Sequence, residues 1–290
     1  KQAQYFLAIV ERGIFSAAAA HHFISQSSLS KRIIALEEEL GVALFDRSKR
    51  QVSLTDAGEA FLTHAQKLNE TYFSLISDLD DFKYEGESLT IATVPVITEY
   101  GITNLIADYR KHHPEVNIDI EELDGLNILP ALDEHRFDLA FTRYNYLDPN
   151  QYESLMVHKD KFIVIVSKNN PLAEKSLLSL NDLREQNFIV FDKVTGLQRL
   201  LIDECNKCGF EPTIFYSSHR KMSVFGLVGA NVGIALTPLK IYEYHKTSEI
   251  TAIPLEETIY CHIVLVYRKN KKLPAAAVSF AEYIKNHAQE

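Results

Sequence analysis

From Phe61 onward the apolar residues Phe61, Ala65, Leu68, Tyr72, Leu75, Leu79 and Phe82 follow one another at steps of 4, 3, 4, 3, 4 and 3. That is the a/d heptad pattern of a long helix with one apolar seam. Leu62, Phe73 and Ile76 widen the stripe. This segment divides the chain, because helical periodicity precedes it and strands alternate with helices after it. A seam on a helix that joins two domains favours packing against a second copy over packing on its own domain. Leu68, Tyr72, Leu75 and Leu79 are the predicted dimerisation residues.

Three helical segments can be read before the divide. "QYFLAIVERG" places Phe6, Ile9 and Val10 on one face, and Gly13 is its predicted stop. "FSAAAAHHF" is short, with Ser16 available as a cap. A third helix is expected to begin near Ser25–Ser27, with Leu29, Ile33, Leu36 and Leu40 as its apolar stripe and Gly41 as its end. Ser27, Ser30, Lys31 and Ile34 fall on the opposite side. Two short helices joined by a tight turn, the second with a polar outer face, describe a helix-turn-helix. Hydroxyls let a helix approach the major-groove floor and bond either base edge. Lys31 and Arg32 can reach phosphates, and Lys49–Arg50 would tip a short hairpin able to enter a minor groove. A solvated basic loop beside an ordinary helix is the plainer alternative.

The net charge of −9 over 290 residues argues against general adhesion to nucleic acid, so any such site must be a local basic feature. The length suggests two or three domains. Neither a membrane-spanning apolar run nor a secretion signal is visible, and a cytoplasmic protein is expected. The first residue is Lys1, so a few leading residues are expected to be missing. Three cysteines do not make a disulfide framework.

After the divide, "LTIATV", "VNIDIEEL" and "FDLAFT" read as strands, separated by the helical stretches "TEYGITNLIADYRKHHP" and "LNILPALDEHR". This predicts βαβαβ and a parallel sheet. "DKFIVIVSK" leads into a second unit of the same kind, and "YCHIVLVYRK" returns to the first. Crossings near Ile163–Ser167 and Val264–Arg268 would make a hinged pair of lobes. Open sheets of this kind bind ligands beyond the carboxyl ends of their strands. Thr93, Pro95, Thr142, Arg143, Thr195 and Thr237 are the predicted effector-binding residues. Hydroxyls, helix N-termini and one arginine suit a small carboxylate or other anion. For Arg143 a surface position without a ligand is the equal alternative.

The stretches "F..IVERG.FS.AA", "ISQSSLSKRI..LEEELG", "LFDR" and "LTDAG" resemble the N-terminal winged helix-turn-helix of LysR-type transcriptional regulators. "DLAF", "NNPLA", "CGFEP" and "VGIALTP" resemble, more weakly, the effector domain of that family. The resemblance implies an α/β protein overall. Its parts would be an all-α winged helix-turn-helix at 1–58, a linker helix at 59–86 and a two-lobed doubly wound α/β domain at 87–290. Lobe I would comprise 87–164 and 266–290, and lobe II 165–265. By the same resemblance, Gln26, Ser27 and Ser30 read bases, Lys31 meets a phosphate, and Arg50 carries the wing to DNA. It places ligand-contacting hydroxyls at Thr93 and Thr142. His22, Ile14, Ser27 and Ile34 depart from the family pattern. Expected partners are double-stranded DNA, a small-molecule effector, and further copies as a homodimer pairing into a homotetramer. RNA polymerase is a candidate partner.

No nucleophile elbow, P-loop or dinucleotide fingerprint is present, so no enzyme, cofactor or metal is expected. Cys205 and Cys208 form a CxxC, which leaves a thiol-based redox sensor as one alternative. Two small buried side chains are the simpler reading. A solute-binding receptor is the other alternative. His21–His22 and His112–His113 are adjacent pairs that point apart on a helix, and Glu37–Glu39 and Asp80–Asp81 read as solvated faces.

Overall fold

Each of the first helices is closed by local chemistry. In the computed structural model, which describes residues 1–22, 24–46, 52–80, 87–191 and 195–288, the chain divides into two compact units, Lys1–Phe82 and Lys83–Glu290. Helix α1 (Gln2–Arg12) ends on Gly13, whose φ of 69° suits glycine and lets its N–H reach the Ile9 carbonyl. Helix α2 (Phe15–His21) starts one residue before Ser16, so Ile14 occupies the cap position and the expected serine cap is not made. Helix α3 (Gln26–Leu40) is capped by Ser25, which accepts from the Ser28 N–H at 3.1 Å, and is closed by left-handed Gly41. Leu29, Ile33 and Leu36 are buried with Phe6, Ile9, Ala18 and Leu44. Leu40, read as the last of the stripe, is 43% exposed because the final turn overhangs the core.

Glu37 corrects the reading of a solvated acidic face. Its Oε1 accepts from the backbone N–H groups of Leu44 and Phe45 at 2.8 and 3.1 Å. That fixes the start of strand β1 (Phe45–Asp46), which pairs antiparallel with β2 (Ser53–Leu54). The tip, with Arg47, Lys49 and Arg50, lies outside the described residues. Thr55 then ties the next helix down, donating to the Ala43 carbonyl at 2.7 Å and accepting from the Gly58 N–H at 3.0 Å. Helix α4 (Asp56–Asp80) therefore starts inside the stretch expected to close the first domain. Phe61 and Leu62 are half-buried and Ala65 is buried on the core, whereas Leu68, Tyr72 and Leu75 are 50–61% exposed. The side chain of Leu79 lies outside the described residues.

The second unit holds two sheets of matching plan. Lobe I contains strand β3 (Ser88–Thr93), helix α5 (Ile102–His112), strand β4 (Asn117–Glu122), helix α6 (Gly125–Asp133), strand β5 (Leu139–Arg143) and strand β6 (Tyr152–His158). Lobe II contains strand β7 (Phe162–Ser167), strand β8 (Asn187–Phe191), helix α7 (Leu197–Lys207), strand β9 (Thr213–Ser218) and helix α8 (Lys221–Gly229). It continues with strand β10 (Ala235–Pro238), helix α9 (Leu239–His245) and strand β11 (Ile250–Pro254). Strand β12 (Ile263–Arg268) and helix α10 (Ala275–His287) return to lobe I.

Sheet order in lobe I is β4-β3-β5-β12-β6. In lobe II, β8 and β9 pair in parallel, and a parallel bridge from Phe188 to Ile234 joins them to β10-β7-β11. In each lobe three strands are joined in parallel, and one strand, β12 or β7, runs antiparallel to its neighbours on both sides, which are β5 and β6 or β10 and β11. The expected parallel βαβαβ pairing of β3, β4 and β5 is present, and the antiparallel strand makes each whole sheet mixed. Strand β7 pairs throughout with β10 and β11, and β12 throughout with β5 and β6. The crossings consequently precede these strands, rather than cutting them at 164 and 265. The two crossing segments also pair with each other: Cys261 N–H donates to the Asp160 carbonyl and Phe162 N–H to Ile259, both at 2.9 Å.

Candidate functional sites

Helix α3 presents two unlike faces. Leu29, Ile33 and Leu36 face inward, while Gln26, Ser27 and Lys31 are exposed and Ser30 is half-buried. Ile34 joins this outer face at 37% exposure. Arg32 lies on a flank, its guanidinium 5.4 Å from the ring centre of Tyr5. His22 sits edge-on to the same tyrosine, ring centres 4.8 Å apart. Burial lowers its pKa, and its Nε2 has no hydrogen-bond partner. Small hydroxyls flanked by a lysine, on a helix whose opposite face is locked in a core, are the chemistry of a rod that enters the major groove.

The second unit has a crevice between its lobes, at the carboxyl ends of the parallel strands. Thr142, Arg143, Asn145, Leu126, Leu129 and Pro130 from lobe I meet Thr195, Leu197 and Leu200 from lobe II around a cavity of about 190 Å³. A wider chamber of about 450 Å³ adjoins it, adding Pro95, His219, Arg220, Lys221 and His245. Val94, Gly125, Arg143, Thr195 and Leu197 line both. An apolar body with a few convergent polar groups is the usual make-up of a small-molecule site.

Four of the six predicted residues line this crevice: Pro95, Thr142, Arg143 and Thr195. Arg143 is not a loose surface arginine, since its Nη1 donates to the Cys261 carbonyl at 3.3 Å on the crossing segment. Thr195 accepts from the Leu197 N–H at 3.3 Å, just ahead of left-handed Gly196 and helix α7. Thr93 and Thr237 are fully buried and line neither chamber. Thr93 Oγ1 donates to the Val94 carbonyl at 2.9 Å, and Thr237 Oγ1 lies 3.5 Å from that of Pro238. Residues 95–101 form turns, and α5 begins only at Ile102 after left-handed Gly101. Pro95 therefore does not open a helix, and its carbonyl accepts from Lys221 Nζ at 2.6 Å.

Sequence reasoning missed Glu99, Lys221 and His245. Glu99 lies on the turns of lobe I with its side chain only 5% exposed. Its Oε1 accepts from Lys221 Nζ, at the start of α8, and bonds His245 Nε2, at the end of α9, at 2.8 Å. Burial alone would raise its carboxyl, but the bonds from Lys221 and His245 outweigh burial and hold it below the ordinary glutamate range. Lys221 stands just past the carboxyl end of β9, where strand-end reasoning could have found it. Glu99 was hidden in a stretch read as helix.

Asp160 anchors the crossing. Its Oδ2 accepts from Tyr100 Oη at 2.5 Å, and its N–H donates to His262 Nδ1 at 2.9 Å. Cys205 is buried in α7, and burial pushes its thiol up to about 12; Cys208 is the residue that ends the helix. Burial raises Cys261 as well. A thiol that stays protonated is a poor redox nucleophile, so the redox alternative is not favoured. Among the described residues no group of His, Cys, Asp and Glu is arranged to hold a metal, and no helix is long and apolar enough to cross a membrane.

A winged helix-turn-helix unit and a two-lobed unit with a ligand crevice together define a ligand-responsive, DNA-binding transcriptional regulator. Residues 1–59 match the bacterial regulatory helix-turn-helix proteins of the lysR family, and residues 83–289 match the LysR substrate binding domain. The chain belongs to the LysR family of transcriptional regulators. It is similar to the transcriptional dual regulator GltC of Bacillus subtilis (strain 168), 26% identical over 287 residues that span 98% of this chain and 95% of GltC. Full-length CbnR in complex with its target DNA shares the fold, with a TM-score of 0.56, 22% identity and 99% of each chain covered. So does the effector binding domain of QuiR in complex with shikimate, with a TM-score of 0.61 and 21% identity over 70% of this chain and 98% of that one. The solute-binding receptor alternative is not favoured, because the helix-turn-helix model covers the N-terminus.

Proposed function

We propose that this regulator works in the cytoplasm as a homodimer, pairing into a homotetramer, whose two α3 helices read two half-sites of a near-palindrome. Gln26, Ser27 and Ser30 contact base edges, while Lys31, Arg32 and Arg50 meet phosphates or the minor groove. The observation that carries this reading is the two-faced α3, with Gln26, Ser27 and Lys31 exposed opposite buried Leu29, Ile33 and Leu36. Paired α4 helices, through Leu68, Tyr72, Leu75 and Leu79, hold the two readers one helical turn of DNA apart.

The crevice of the second unit takes a small anionic effector. CbnR was solved on DNA and QuiR with shikimate, which supports both halves of the reading. Arg143 supplies positive charge, Thr142 and Thr195 supply hydroxyls, and the leucines seat an apolar body. An effector with unequal affinity for two lobe arrangements shifts their populations, and only that difference can change DNA binding or contact with RNA polymerase.

The test is operator selection from genomic fragments, followed by salt titration of the selected site. Lys31→Ala should weaken binding across all sequences and make the log–log salt slope shallower by about one. An unchanged slope removes Lys31 from the phosphate contacts. Failure to enrich any fragment removes the reading.

A further inference from the structure

The crevice holds a fully assembled carboxylate site, and the chain itself occupies it. Glu99 Oε1 takes a bond from Lys221 Nζ and a second from His245 Nε2 at 2.8 Å. Lys221 and His245 both stand on lobe II helices, while Glu99 comes from the turns that follow β3 in lobe I. All three side chains are largely shielded, at 5% exposure for Glu99, 21% for Lys221 and 18% for His245. Phe225, itself buried, packs against the His245 ring at 5.8 Å between centres. Pro95, Lys221 and His245 also line the wider chamber, so the site opens into the space where a ligand would sit.

We propose that Lys221 and His245 form a receptor for the carboxylate group of a small ligand, which the chain fills with its own Glu99 and so latches lobe I to lobe II. Three arguments support it. A shielded ammonium is costly without a counter-charge, and with Glu99 removed Lys221 keeps the neutral Pro95 carbonyl, so a carboxylate entering that gap restores the charge pair. Both donors converge on a single carboxylate oxygen, and hydrogen bonds to an ionised group are the strong ones. The bonds also span the two lobes, beside the one from Lys221 to the Pro95 carbonyl, so anything that takes Glu99's place loosens one lobe against the other. An effector that brings its own carboxylate into the wider chamber competes with Glu99 for Lys221 and His245. The regulatory consequence rests on the crevice being the effector site; the receptor itself does not.

Chemical rescue tests this without a known effector. In the full-length protein, Glu99→Ala leaves a carboxylate-sized gap beside Lys221 and His245 and should lower the melting temperature. Acetate, titrated at constant ionic strength against chloride, should then raise the melting temperature of the variant by about 2–4 °C in a saturable way. Wild type should show no such rise, and Glu99→Ala combined with Lys221→Met should lose it. Glu99→Ser, which leaves a similar gap with a polar lining, is the second variant. Should both variants be isolated unfolded, refolding in acetate but not in chloride supports the receptor, and failure in both overturns it. Equal response of wild type and variant, or none in either, also overturns it. These readouts need no DNA, so a failed operator search leaves them intact.

Discussion

At the scale of single residues, much of the "LTDAG" motif is a packing constraint. A Cβ on Gly58 would lie 2.1 Å from the Leu44 carbonyl oxygen, a distance that backbone atoms cannot share. Thr55 and Gly58 together clamp the segment after α3 onto the start of α4. Gly58→Ala should therefore cost about 1–3 kcal/mol or more, read as a lower urea midpoint with an unchanged m-value. Glu99 carries a pH signature. Its carboxyl is depressed in the folded state, so its contribution is fully present above the ordinary glutamate value near 4.5. It is lost as pH falls through the lower folded value. The stability gap between wild type and Glu99→Gln should narrow through that acid window in urea titrations, and a gap constant with pH would contradict the ion cluster. Single residues were also where the sequence was least legible. Thr93, Thr142 and Thr237 look alike as threonines at strand ends, yet only Thr142 faces the crevice. The direction of a side chain at a strand end depends on pairing register, which no single-strand pattern contains.

At the scale of elements, strong periodicity was read correctly and weak periodicity was not. The stripe of α3 and the glycines that close α1 and α3 follow from sequence alone. Strands β6 and β11 and helix α9 were not foreseen, because each is only partly buried and shows no clear apolar pattern. The heptad of α4 changes role along its length. Its first turns pack on their own domain through Ala65, while Leu68 and Leu75 remain exposed on the single chain. Apolar side chains left in water on one helical face favour a seam with a second copy. Leu75→Asp should convert dimers into monomers in sedimentation velocity while leaving the helical content unchanged. Intact dimers would place the interface elsewhere.

For the whole molecule, the division into a helical reader and a two-lobed α/β sensor was legible because an all-helical pattern gives way to strands alternating with helices across the junction. The pairing of strands between distant parts of the chain was not. Strands β7 and β12 read as continuous apolar runs, and nothing in such a run tells which sheet it joins or in which direction. That left the expected lobe boundaries inside the two strands and the direction of both strands undrawn. The missed latch has the same origin, since Glu99 and Lys221 are 122 residues apart and meet only once both lobes exist. The strand order also fixes a sequence of events during synthesis. Lobe II is one uninterrupted stretch from β7 to β11, whereas the sheet of lobe I lacks its inner strand until β12 is made. On the ribosome, the lobe begun second is the first that can be finished, while β5 waits with one edge open and β6 waits without a partner strand until β12 has emerged.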